Sequence, residues 1–181
     1  KSRIKYEALG VVLIYGSWNY PFVVSIKPLI QAITTGNAAV IKPSEMAPAS
    51  SAIIKQLVDT YLDSDFYRVI EGGSEVASVI GDHPWDLICC TGSTMKGRLV
   101  AQVAGKNLIP CILELGGKCP AIVDESANIE LAAAKICFAR FNNSGQTCIS
   151  TDYVMVHESI KQQFLDRLLA TIKTMYGEDP N

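Results

Sequence analysis

Short apolar runs alternate along the chain with segments whose apolar positions recur at helical spacing. The apolar runs of strand length are residues 10–16, 38–42, 66–72, 86–92 and 111–117, and helical patterns separate them. Strands that are apolar almost throughout are typical of a parallel sheet covered by helices on both faces. The pattern therefore predicts an α/β fold, with the first helix bent or interrupted at Pro28.

The pattern changes after Gly117. It predicts a strand at 120–124, a helix at 128–141, a strand at 153–157 and a long amphipathic helix at 159–177. We place a domain boundary at Glu114, which gives predicted domains of residues 1–113 and 114–181.

Composition narrows the class of protein. Of the 181 residues, 49% are hydrophobic and 19% charged, which suits a folded chain with a substantial core, and the net charge of -2 gives no basis for a nucleic-acid surface. The apolar runs are shorter than the ~18–20 residues that span a membrane. The six cysteines form no C-x-x-C pair and the two histidines lie far apart, so no motif supports a metal site. Without a signal peptide, we expect reduced thiols in an intracellular, cytoplasmic protein.

Polar motifs follow the predicted strands at their carboxyl ends, where parallel sheets bind ligands. "GSWNYP" with Asn19 follows the first strand, "KPSE" with Lys42 and Glu45 the second, "TGSTMKG" the fourth, and "ELGGK" with Glu114 ends the fifth. Lys42 and Glu45 can hydrogen-bond the hydroxyls of a ribose. Taken alone, this motif is better explained as a solvated turn with a surface ion pair.

The turn "GSTMKG" is similar to a phosphate-binding turn that runs into a helix. Gly92 and Gly97 allow close approach, and Ser93 and Thr94 lie where the helix offers its N–H groups. A helix N-cap at Ser93 or Thr94 is the simpler explanation of this motif alone.

Glu114 lies between two leucines at the end of a strand. A carboxylate in apolar surroundings is expensive to bury and suits a general base near neutral pH. Pairing with Lys118 is an equally good explanation.

Cys148 differs from most of the other cysteines because it lies in the polar stretch "FNNSGQTCIS". Gly145 lets the backbone approach a substrate, and we expect Cys148 at a loop-to-helix junction, where a helix start favours a thiolate. The cysteines in apolar runs are expected to pack as small hydrophobic residues; they are Cys89, Cys90, Cys111 and Cys137. Cys119, beside Lys118, stays open as an alternative nucleophile.

Taken together, "SWNYP", "KPSE", "TGSTMKG", "LELGGK" and "FNNSGQTC" resemble the aldehyde dehydrogenase superfamily, in order and in spacing, from about residue 10 to the end of the chain. Each motif is weak alone, whereas the ordered set is specific. The residues of these motifs are most similar to those of the class 3 and fatty-aldehyde branch. The resemblance implies a Rossmann-like cofactor domain followed by the start of a second α/β, catalytic domain.

The resemblance also implies roles. Cys148 would attack the aldehyde carbon, and Asn19 with the Cys148 amide would form the oxyanion hole. Hydride transfer to the nicotinamide would leave a thioester, which water activated by Glu114 would hydrolyse.

The implied cofactor is NAD, with NADP also possible. Lys42 and Glu45 would hold the adenosine ribose, and the turn from Gly92 to Gly97 would face the pyrophosphate.

The family's "E-x-F-G-P" segment and its dimerisation strands are not in these residues. We therefore expect part of a longer enzyme that forms a homodimer, with membrane attachment and the identity of the aldehyde left open. A coenzyme A-dependent, acylating enzyme is an alternative, although the carboxylate at Glu114 favours hydrolysis. A non-catalytic structural protein is the other alternative, although the presence of Cys148, Asn19 and Glu114 favours an enzyme.

Overall fold

The computed structural model describes residues 2–178. The chain divides into two compact units, residues 1–115 and 116–181. The predicted boundary at Glu114 falls just before this division, so Glu114 itself lies in the first unit.

The first unit is a five-stranded parallel sheet with its helices. Its strands are β1 (Val11–Tyr15), β2 (Ala38–Lys42), β3 (Tyr67–Val69), β4 (Leu87–Gly92) and β5 (Cys111–Leu115). Its helices are α1 (Pro21–Thr34), α2 (Pro48–Tyr61), α3 (Ser74–Gly81) and α4 (Thr94–Asn107). The strand order is β3-β2-β1-β4-β5, and every pairing is parallel. This is the Rossmann-type order, and it confirms the predicted fold class.

Helices cover both faces of this sheet, and the alternation of side chains in β1 shows how. Ile14 packs in a cluster with Leu29 of α1 and Ile54 of α2. Leu13 points the other way and packs with residues of α3 and α4, Ile80 and Ala104 among them. β1 is therefore apolar at successive positions because both of its faces are buried.

Helix α1 contains Pro28 in its interior and still runs to Thr34. Proline removes one backbone donor and disturbs the preceding turn, but it does not interrupt this helix. The helix is therefore not interrupted at Pro28, and a bend there, the other expected effect, stays a prediction.

The second unit is a βαβ arrangement with one further helix. Strands β6 (Cys119–Val123) and β7 (Thr151–Val156) pair in parallel, and α5 (Ile129–Phe141) connects them. Helix α6 (Lys161–Tyr176) follows β7. The core of this unit is centred on Val123, Ala133 and Phe164, which are nearly inaccessible to solvent.

Within residues 2–178, the helices fall short of the length and apolar character that crossing a membrane requires.

Candidate active site

The strand register aligns the polar motifs at one edge of the first unit's sheet. Tyr15 at the end of β1 pairs with Lys42 of β2 and with Cys90 of β4. Thr91 of β4 pairs with Glu114 of β5. The motifs after β1, β2 and β4, together with Glu114, therefore share the carboxyl edge of the sheet. β1 and β4 are neighbours at the point where the strand order reverses, which is where open α/β sheets bind ligands.

Lys42 and Glu45 form an ion pair of 2.8 Å at this edge. Lys42 is only 5% exposed, and its Nζ also donates to the carbonyl oxygen of Pro43 at 3.0 Å. The hydrogen bond from Lys42 is the main cause that lowers the pKa of Glu45, whose side chain is half exposed. The pair is thus more than a solvated turn, since a buried amine holds an ionised carboxylate at the sheet edge.

The turn after β4 begins helix α4 through a side-chain cap. Ser93 Oγ accepts a hydrogen bond from the Lys96 N–H at 3.3 Å, which is the N-cap predicted as the simpler explanation. Thr94 is the first residue of the helix and is exposed. A Cβ placed on Gly92 would lie 3.7 Å from Lys96, which is an ordinary contact, so space alone does not require glycine there.

Gly97 has a packing role. A Cβ at this position would lie 2.6 Å from a methyl group of Leu115, so the Leu115 side chain would have to move to admit any larger residue. Gly97 is buried, and this close approach of helix to strand is one of the uses of glycine in dinucleotide-binding folds.

Asn19 lies partly buried in the bend that follows β1. Its Oδ1 accepts a hydrogen bond from Ser17 Oγ at 2.7 Å, which orients the amide group.

Glu114 is exposed, so the prediction of apolar surroundings was wrong. Side chains alternate along β5, and Leu115 packs under Gly97 of α4 whereas Glu114 points to the opposite face. β5 is an edge strand, and Ile112 on the same face as Glu114 is also 50% exposed. Lys118 forms an ion pair with Asp152, and its suggested pairing with Glu114 stays a prediction.

Cys148 lies exposed in a turn between a short 3₁₀ helix, Asn142–Gly145, and β7. The Ser150 N–H donates to the Thr147 carbonyl at 3.0 Å and closes this turn. The predicted loop-to-helix junction was wrong, because the chain passes from the turn directly into a strand. Activation of the thiol by a helix start therefore loses its basis.

The segment just before Cys148 has a strained backbone. Three consecutive residues adopt left-handed backbone angles, with φ of 52° at Asn143, 55° at Ser144 and 74° at Gly145. A Cβ on Gly145 would lie 2.9 Å from the Arg140 carbonyl oxygen, so glycine is required there. Such backbone strain costs about 1–3 kcal/mol per non-glycine residue and is concentrated at functional sites.

Ser150 ties the Cys148 turn to α5, since its buried Oγ donates to the Ala139 carbonyl at 3.1 Å. Sequence reasoning missed Ser150, because nothing in the pattern distinguishes a buried anchoring serine from a solvated loop serine.

All six cysteines lie among the described residues and are free thiols. Burial raises the pKa of Cys90 to about 11, and it also raises the pKa values of Cys89 and Cys137. Cys111 is exposed on the edge strand, so its expected packing role was wrong. The thiol of Cys119 donates to the main-chain oxygen of Cys148 at 3.2 Å, a contact that the sequence did not reveal.

Comparison with known proteins identifies the family. The model of the aldehyde dehydrogenase family matches residues 1–181.

The chain belongs to the aldehyde dehydrogenase family.

Two curated relatives and one solved structure illustrate this membership. Aldehyde dehydrogenase family 3 member A2 of Rattus norvegicus is 41% identical over 99% of the chain and 37% of its own length. The dimeric, NADP-preferring aldehyde dehydrogenase of Canis lupus familiaris is 43% identical over 96% of the chain and 38% of its own length. A substrate-bound structure of Staphylococcus aureus AldH superposes with a TM-score of 0.93 at 45% identity, over 96% of this chain and 38% of that one.

The predicted family is therefore confirmed, and the family 3 relative agrees with the predicted class 3 branch. The chain spans about two fifths of the length of these relatives.

Proposed function

We propose that this chain supplies the cofactor-binding sheet and the nucleophile of an enzyme that oxidises an aldehyde to a carboxylic acid with NAD or NADP. The observation that carries the proposal is the setting of Cys148. Its thiol is exposed in a turn that follows a strained backbone segment and that Ser150 anchors to α5, within the sequence by which the chain resembles its family.

The residues at the carboxyl edge of the sheet suit a dinucleotide. Glu45 offers an ionised carboxylate that can accept hydrogen bonds from ribose hydroxyls, and Lys42 is held beside it. The start of α4, capped by Ser93, is suited to a pyrophosphate because helix N-termini favour anions. When bound, the nicotinamide supplies the hydride acceptor of the reaction.

Cys148 would attack the aldehyde carbon and form a thiohemiacetal. The Asn19 amide and the Cys148 main-chain N–H would donate to the oxyanion, and loss of hydride would leave a thioester on Cys148. Glu114, which is accessible to water, would take a proton from the water that hydrolyses this thioester. Hydrolysis frees the carboxylic acid and restores the thiol.

We also propose a homodimer as the working form, as the relative from Canis lupus familiaris is called dimeric. Light scattering of the full-length protein, coupled to size-exclusion chromatography, tests this. We propose the substrate only as an aldehyde, and a series of aldehydes of increasing chain length would show which of them is preferred.

The test of the function is NAD-dependent oxidation of such an aldehyde series by the full-length protein, followed by the absorbance of reduced cofactor. Cys148→Ser should reduce turnover to background, whereas Cys111→Ser, which alters another exposed thiol, should retain it. Turnover retained in Cys148→Ser would contradict the proposal. A strict requirement for coenzyme A would instead indicate the acylating alternative.

A further inference from the structure

Two cysteines of the second unit lie next to each other although they are far apart in the sequence. Cys119 begins β6 and Cys148 lies in the turn before β7. Cys119 Sγ lies 3.2 Å from the main-chain oxygen of Cys148 and donates a hydrogen bond to it. A second thiol is thus positioned beside the backbone of the proposed nucleophile.

The two sulfurs can reach each other with small movements. A carbonyl oxygen lies ~2.4 Å from its own Cα, so Cys119 Sγ is within about 6 Å of the Cys148 Cα. Cys119 Sγ lies ~2.8 Å from its own Cα, so the two Cα atoms are at most about 9 Å apart. Disulfides bridge Cα atoms that are ~4.4–6.8 Å apart, so the bridge needs side-chain rotation and an inward shift of the exposed turn of at most about 2 Å. The Cys148 turn is exposed, and β6 has a register irregularity directly after Cys119, which pairs with Thr151 of β7.

The third cysteine of this unit, Cys137, is not placed to form a disulfide with Cys148. Cys137 is 1% exposed within α5, and burial raises its pKa, so its sulfur is neither accessible nor readily ionised. Cys119 is partly exposed and Cys148 is exposed, which lets a small oxidant reach the pair.

We propose that Cys119 is a resolving cysteine for Cys148, so that hydrogen peroxide converts the pair to a reversible disulfide. As a form of regulation, this rests on the proposed function of Cys148. The disulfide would remove the nucleophile from catalysis and protect it from further oxidation, because a sulfenic acid that finds no thiol proceeds to sulfinic acid, which thiols do not reduce.

The chemistry balances with peroxide as the oxidant. The Cys148 thiolate attacks one peroxide oxygen, the O–O bond breaks, and the departing hydroxide takes a proton to become water, leaving a sulfenic acid. The Cys119 sulfur then attacks the Cys148 sulfur, the S–S bond forms, and the oxygen leaves as a second water with the Cys119 proton. The two thiols together lose two electrons, and peroxide is reduced to two waters.

The test treats the full-length protein with limiting hydrogen peroxide, alkylates the remaining thiols and maps the peptides by mass. In the wild type, a cross-linked pair of Cys119 and Cys148 peptides should appear and disappear with dithiothreitol, which should also restore activity. In Cys119→Ser the cross-link is lost, and Cys148 should accumulate as sulfinic acid. The serine hydroxyl can still donate to the Cys148 carbonyl, so the turn keeps its hydrogen bond.

Cys111→Ser is the matched control, since it removes an exposed thiol and should leave the cross-link unchanged. Sulfinic acid forming at Cys148 equally fast in wild type and Cys119→Ser, or a disulfide from Cys148 to another cysteine, would overturn the inference. The cross-link is read by mass, so it is separable from the function. A cross-link in a protein without dehydrogenase activity would leave this inference standing and remove the proposed function, and an active enzyme without a cross-link would do the reverse.

Discussion

Replacing Glu45 by glutamine removes one negative charge from the carboxyl edge of the sheet. In the wild type, this carboxylate is held at 2.8 Å by a lysine that is itself buried. The carboxylate can accept a hydrogen bond from a ribose 2′-hydroxyl, but it repels a 2′-phosphate. Glutamine keeps the shape and the hydrogen-bonding capacity, and it frees the Lys42 charge to attract the phosphate. We therefore expect Glu45→Gln to shift cofactor preference from NAD toward NADP.

The size of this shift in cofactor preference follows from the repulsion between the Glu45 carboxylate and the 2′-phosphate and from the solvent exposure of Glu45. Two unit charges 4 Å apart repel by about 1 kcal/mol in water and about 4 kcal/mol near a protein surface. The Glu45 side chain is 47% exposed, so solvent screening places the effect toward the lower end, at about 1–2 kcal/mol. Because each 1.36 kcal/mol is about tenfold in rate, the ratio of kcat/KM for NADP to that for NAD should rise about 5–30-fold.

The assay measures kcat/KM for both cofactors at one fixed salt concentration, in the full-length wild type and in two variants. Asp59→Asn is the matched control, because Asp59 is 48% exposed and pairs with Lys55 at 2.6 Å. It lies near the end of α2, away from the carboxyl edge of the sheet. An unchanged ratio in Glu45→Gln, or an equal rise in Asp59→Asn, would refute the assignment of Glu45 to the ribose.

Three further outcomes are expected. Glu114→Gln should leave a first burst of reduced cofactor while steady turnover falls about 10²–10⁴-fold, as rapid-mixing absorbance would show; unchanged steady turnover would return Glu114 to a structural role. Gly97→Ala should destabilise the protein by about 1–3 kcal/mol in urea unfolding through its clash with Leu115, whereas Gly105→Ala in the same helix meets open space and should be neutral or stabilising; equal effects would contradict the packing role. The pKa of Glu45 is lowered in the folded protein, so Glu45 stabilises the fold above its ordinary carboxyl pKa of 4.5, and this contribution is lost as pH falls through the lowered value. Glu45→Gln should therefore lower Tm near neutral pH but not well below pH 4.5.

The elements of the first unit could be predicted from the sequence because its apolar runs of strand length alternate with segments of helical spacing. β2 was predicted with the bounds it has, Ala38–Lys42. The sequence does not reveal the strand order, however, and the burial of β5 depends on it. The leucines around Glu114 suggested a buried carboxylate, but β5 is an edge strand, and alternation places Glu114 on its uncovered face.

The site residues could likewise be predicted where their contacts are local in sequence, but not where the contacts depend on the tertiary fold. Lys42 and Glu45 were found because their spacing of three across a prolyl turn brings them together locally. The contact of Cys119 with Cys148 depends on the parallel pairing of β6 and β7, which joins segments that are remote in sequence. The turn that presents Cys148 was misread as a helix start because three consecutive left-handed residues, of which only Gly145 is glycine, are not expected from propensity.

Thiol labelling of the full-length protein tests directly whether Cys148 is the nucleophile. A limiting alkylating reagent is applied with and without aldehyde and cofactor, and the modified peptides are mapped by mass. We expect Cys148 to be labelled first and to be protected by aldehyde, while Cys111, which is also exposed, is labelled equally in both conditions. Preferential, aldehyde-protected labelling at Cys119, Cys111 or any other cysteine would contradict this expectation.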